Sequence, residues 1–81
     1  MIIGEIYKIT DAHPPAFGEV TSVNSKEDEF KWLAWADWYQ WDDKNVYCIH
    51  GSGYEIERLV PATADEIAIY ERKVVEYLIG G

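Results

Sequence analysis

The feature that most limits the fold sits near the C-terminus. Thr63 is followed three positions later by Glu66, the spacing at which a hydroxyl and a carboxylate each accept a backbone N–H at a helix start. Asp65 and Glu66 also suit the positive end of a helix dipole. Ile67, Tyr70, Val74 and Leu78 then recur at helical spacing as one apolar stripe, and Gly80 and Gly81 stop it. The pattern predicts a helix over about residues 64–79. Pro61 stands just upstream, so what precedes the helix ends there as a separate element.

Before Pro61 the signals are those of strands. Residues 2–9 are short, apolar and β-branched. Residues 11–15 break regular structure, since Pro14 and Pro15 cannot donate to a ladder. Residues 17–23 resume as a strand through Val20, Thr21 and Val23, and residues 24–29 form a polar turn. Residues 42–45 read as a tight turn and residues 46–50 as a short strand. Gly51-Ser52-Gly53 reads as a hairpin turn, and residues 54–59 as the returning strand.

Between them lies FKWLAWADWYQW, residues 30–41, with Trp32, Trp35, Trp38 and Trp41 at a strict spacing of three. On a helix that spacing drifts about 60° per step and spreads the rings over half the cylinder. Aromatics form strands better than helices. The reading is a strand over 30–36, a bend, and an extended piece over 39–41. A helix started by Ser25 and Asp28 stays open as the alternative. Trp32, Leu33 and one of Trp35 or Trp38 are assigned to the core. Short strands followed by one helix make the chain α+β: a small, strongly bent antiparallel sheet or an SH3-like barrel, closed by a C-terminal helix, in a single domain.

Composition sets the remaining bounds. The chain has 81 residues, of which 48% are hydrophobic, with four Trp, six Tyr and two Phe. That aromatic content opposes disorder. A domain this small gains stability from a dense core or from a second copy, so a homodimer fits the size. The single Cys48 permits no internal disulfide, and the N-terminus lacks a basic start and long apolar run. No stretch reaches the roughly 20 apolar residues of a membrane span. These features place the protein in a cytoplasm, its own or a host's, with no membrane partner.

Fifteen acidic residues against seven basic ones give a net charge of −8. This opposes direct nucleic-acid binding, which relies on Lys and Arg against phosphates. Two readings follow: a charge that keeps the domain soluble, or a surface that imitates a nucleic acid in the basic groove of another protein.

The segments GEIYKI, GEV, WLAW, YCI and RLVPATADEI resemble small SH3-like barrel proteins, many of them uncharacterised and encoded by phages or other mobile elements. The resemblance implies such an origin. It also implies inhibition of a host nucleic-acid-binding complex, of the anti-CRISPR or anti-restriction kind. It carries no active site.

Nor do the residues assemble one by spacing. Cys48 and His50 share a strand face but lack the second pair of a zinc site, and His13 lies beside a proline. Asp42, Asp43 and Asn45 lack the central Gly and terminal Glu of a calcium loop. Ser52 has His50 nearby but no acid placed by local sequence to orient it. Glu55 and Glu57 alternate as the solvent side of a strand does, and Gly51-Ser52-Gly53 is too short to cradle phosphate. No enzyme, metal or cofactor is expected.

Twelve aromatic rings exceed what so small a core encloses, and acids flank them. The candidate partner-binding set is therefore Trp35, Trp38 and Trp41 with Asp37, Asp42 and Asp43, together with Glu27, Asp28 and Glu29. Exposed aromatics anchor interfaces, and carboxylates steer them to a basic partner. A second candidate is a homo-oligomer interface on Val75, Tyr77, Leu78 and Ile79, more apolar surface than one core stripe needs. A sugar platform of Trp rings is the third reading, weakened by the lack of an Asn/Gln-rich frame.

Overall fold

A computed structural model describes residues 2–24 and 32–80, with Asn24 described by its backbone alone. The expected turn after Asn24, the first residues of the Trp-rich strand, and Glu27, Asp28 and Glu29 lie outside the described residues.

Six strands precede one helix: β1 (Ile6–Ile9), β2 (Ala16–Glu19), β3 (Ser22–Asn24), β4 (Leu33–Trp41), β5 (Val46–Glu55) and β6 (Leu59–Pro61), then α1 (Ala64–Gly80). A 3₁₀ turn, Ile56–Arg58, joins β5 to β6. All pairings are antiparallel, with β5 on one side of β4, β2 and β3 on the other, then β1, then β6. The fold is thus an α+β sheet with a C-terminal helix. The sheet is open, because no ladder joins β5 to β6 among the described residues.

Alternation along the strands builds two cores, one on each face of the sheet. Tyr7, Ile9, Ala16, Val20, Ala34, Ala36, Trp38 and Leu59 fill the concave face. Phe17, Tyr39 and Tyr70 form the second cluster, under the helix, with Ile6, Trp41, Val46, Cys48, Val74 and Tyr77 around it. β1 serves both, sending Tyr7 and Ile9 inward while Lys8 reaches Glu66 of α1 at 2.7 Å.

The residue-17–23 strand is divided. Val20 leaves the ladder to donate to Glu5 O at 3.1 Å, and Thr21 donates to Trp35 O at 2.9 Å. β2 pairs with β1 on one edge and β4 on the other, and β3 pairs with β4 alone. The first strand begins later than expected, because Gly4, at φ 93°, and its neighbours turn to donate to Val20 O.

β4 is a strand throughout, and the helical alternative for it does not occur. The expected bend does not break β4; at Asp37 only the register with β5 shifts: Ala36 faces Ser52, yet Trp38 faces Ile49. Two residues of β5, His50 and Gly51, stand opposite the single Asp37, as in a β-bulge. This corrects the reading of Gly51-Ser52-Gly53 as a hairpin turn. β5 runs unbroken through all three, and the turn of the hairpin is at residues 42–45. Gly51 is needed for its φ of 56°, and Gly53 because a Cβ there would lie 2.8 Å from the Trp35 ring.

The helix begins as its spacing predicts. Thr63 N–H donates to Glu66 Oε1 at 2.9 Å, and Glu66 N–H donates to Thr63 Oγ1 at 3.2 Å. Tyr70 is buried and Val74 half-buried, but Leu78 is 70% exposed. Its spacing puts it near the inward stripe, but the last turn of α1 lies at β5, and among the described residues no strand continues beyond that edge.

Candidate functional site

The β4–β5 hairpin carries most of the described candidates, and its geometry divides them. At the turn, Asp42 Oδ1 accepts the backbone N–H of Lys44 and of Asn45, each at 2.8 Å. Those two bonds hold the Asp42 carboxyl below the usual carboxylate range. Asp42 N–H donates to Asn45 O at 3.0 Å, and Tyr47 OH reaches Asp42 Oδ2 at 3.2 Å. Asp43 is exposed beside it. Trp41 is half-buried, stacked on Phe17 at 5.1 Å between centroids.

Mid-strand, Asp37 is exposed, and its Oδ1 accepts Gly51 N–H at 2.8 Å. Trp35 lies half-exposed across Gly53. Trp35 and Trp41 share a face of β4, but six residues of strand put them about 20 Å apart. The candidate surface is therefore two acidic-aromatic spots on one hairpin: Trp35 with Asp37, and Trp41 with Asp42 and Asp43.

Trp38 does not belong to that surface. It is fully buried, its indole N–H donates to Ser52 O at 2.8 Å, and its ring meets Tyr54 edge-on. The concave face closes over it, so it is the core tryptophan. Trp32, assigned to the core, is instead 58% exposed, one residue before β4, although its C=O still accepts Ile56 N–H at 3.1 Å. Of the proposed oligomer residues, Val75, Leu78 and Ile79 are each more than half exposed. Tyr77 is turned inward, packed edge-on against Tyr39 at 5.6 Å.

The register also gathers residues that spacing kept apart. Cys48 Sγ lies 3.6 Å from His50 Nδ1, Asp37 Oδ1 lies 3.7 Å from the same nitrogen, and Tyr77 OH lies 3.4 Å from His50 Nε2. Cys48 and Asp37 thus meet the same ring nitrogen, whereas the nucleophile and orienting acid of a Ser/Cys–His–acid relay hold opposite ones. Burial pushes the Cys48 thiol up, away from the reactive thiolate. Burial likewise pushes the Tyr39 phenol up to about 12. Among the described residues no three His, Cys, Asp or Glu converge as metal ligands. The signal for Asp37 beside His50 was the glycine inside a strand, which marks a bulge.

Between the hairpin turn and the end of α1 lies a cleft of about 350 Å³, lined by Lys44, Asn45, Val46, Glu76, Tyr77 and Gly80. It is open, with one lysine and one carboxylate on its walls. Among the described residues no helix is long and apolar enough to cross a membrane. No protein-family model, curated protein or solved structure matches the chain.

Proposed function

We propose that this protein is a non-enzymatic binding module whose β4–β5 hairpin docks on a basic surface of another protein. The observation that carries the reading is the state of the hairpin carboxylates. Asp37 and Asp42 are exposed yet held by backbone N–H groups, so their charges are fixed in space before a partner arrives. Preorganised charge is what distinguishes a recognition surface from a solubilising one, because less ordering entropy is lost on binding. Trp35 and Trp41 lie beside those carboxylates as half-exposed anchors.

Within this proposal the partner is a nucleic-acid-binding complex of a host cell, where carboxylates take the places of phosphates and the chain itself binds no nucleic acid. The kinship with SH3-like barrels, the phage or mobile-element origin and a cytoplasmic site of action belong to the same proposal. They are supported by the short, kinked meander ending in a helix and by the net charge of −8.

The test is a pull-down from nuclease-treated bacterial lysate at low salt, eluted with high salt. A nucleic-acid-binding protein that leaves the column in salt is the expected result. Capture that is indifferent to salt contradicts the reading.

A further inference from the structure

The outer edge of β5 is built to pair, and we propose that it pairs with the same strand of a second copy, giving a twofold dimer with one continuous sheet. β5 is an edge strand of ten residues. Natural edges of that length are protected by charge, by proline or by a bulge; β5 has a bulge at His50–Gly51, which leaves residues 46–49 before it as a regular edge. In a chain that is 27% charged, residues 46–54 contain no Asp, Glu, Lys, Arg or Pro.

Two observations fix which backbone groups point outward. Asp42 N–H donates to Asn45 O across the turn, and Trp35 O accepts from Thr21 on the far side of β4. Even-numbered β4 residues therefore bond to β5, and with Trp38 facing Ile49 and Gln40 facing Tyr47, Ile49 and Tyr47 bond inward. The N–H and C=O groups of Val46, Cys48 and His50 then point away from β4. No strand pairs with that edge among the described residues.

A second copy is the occupant that the surroundings fit. Along residues 46–50 a second copy meets no Asp or Glu, so the net charge of −8 per chain sets no carboxylates against each other within the paired stretch. A twofold axis at Cys48 pairs all of residues 46–50, with Cys48 opposite its mate and Val46 opposite His50. It also sets Tyr47 across from Ile49 of the other copy, an aromatic against a β-branched residue. Tyr47 and Ile49 are 50% and 41% exposed in one copy.

On the opposite face, α1 begins at β1 through Glu66 and Lys8 and ends at β5, where Tyr77 meets His50. The last turns of α1, which carry the exposed Val75, Leu78 and Ile79, thus lie near the same edge. Three side chains fall short of the ~800 Å² that each partner of a standard interface buries. The helix end would therefore add to the strand pairing rather than form the interface alone.

Sedimentation equilibrium at about 100 µM tests this. The expected wild-type mass is twice 9.4 kDa. Tyr47→Lys with Ile49→Lys sets lysine against lysine across the axis, and should weaken the dimer at least about tenfold with an unchanged circular-dichroism spectrum. A short bis-maleimide, acting on the single Cys48 of the unaltered chain, should give a covalent dimer, since paired Cα atoms lie about 5.5 Å apart. A monomeric wild type, a dimer indifferent to both lysines, or no cross-linked product overturns the proposal.

Discussion

Trp38 and Trp32 are six residues apart and differ in almost everything that decides their energetic weight. Trp38 is sealed in the concave core with its N–H satisfied by Ser52, and Trp32 is mostly in solvent. Trp38→Ala should therefore cost about 3–5 kcal/mol in urea unfolding, as for other buried large-to-Ala changes. Trp32→Ala should stay within about 0.5 kcal/mol, as surface changes do. Gly53 gives a second residue-scale prediction. A methyl group there meets the Trp35 ring at 2.8 Å, so Gly53→Ala should cost about 1–3 kcal/mol by overpacking, measured in the same way. Unaltered stability in Gly53→Ala would show that the ring moves aside freely.

At the scale of elements, α1 depends on its first turn. Thr63→Ala removes the side-chain acceptor for Glu66 N–H and should cost about 1 kcal/mol. Glu66 adds a pH dependence. The Lys8 ammonium, aided by Thr63 N–H, holds its carboxyl below the usual glutamate range. A carboxyl depressed on folding contributes stability that is present above its unfolded pKa and lost as pH falls through the folded one. Glu66→Gln keeps the capping oxygen and loses the charge. The melting-temperature gap between wild type and this variant should thus be present near neutrality and shrink as pH falls below about 4. A gap constant across that range would contradict the assignment.

The helix was legible because capping and periodicity are local. Residues 63, 66 and 70 carry their meaning without knowledge of the rest. The strands were legible in type, but their ends and partners were not. Gly51-Ser52-Gly53 matches a turn in composition, and only the pairing of Ala36 with Ser52 and Trp38 with Ile49 makes it a bulge. Likewise the three-residue Trp spacing does not tell which ring is enclosed. That depends on which face of β4 is covered, by the concave core for Trp38 and partly by Phe17 for Trp41.

The molecule as a whole is elongated, 42 × 24 × 22 Å, with an open sheet that α1 covers in part. The three described ion pairs with Lys or Arg partners, Lys8–Glu66, Arg58–Asp11 and Lys73–Glu76, use three of the seven basic residues. Of the other four, Lys44 stands in the hairpin turn beside Asp42 and Asp43. The sequence pointed to this acidic, aromatic segment but not to its division into two spots about 20 Å apart, which follows from the unbroken run of β4. Its charge was countable from composition, whereas its rigidity was not. The bonds that create it, from Gly51 to Asp37 and from Lys44 and Asn45 to Asp42, depend on register and turn geometry.

Asp37→Asn, Asp42→Asn and Asp43→Asn combined keep each side-chain oxygen as an acceptor for those bonds while removing three of the charges. The deciding measurement is capture from bacterial lysate by wild type and by this triple variant, side by side at low salt. The salt-eluted partner is expected to be retained by wild type and lost, or held far more weakly, by a variant that is still folded. Equal retention by both proteins would contradict it, since the fixed carboxylates would then play no part in recognition.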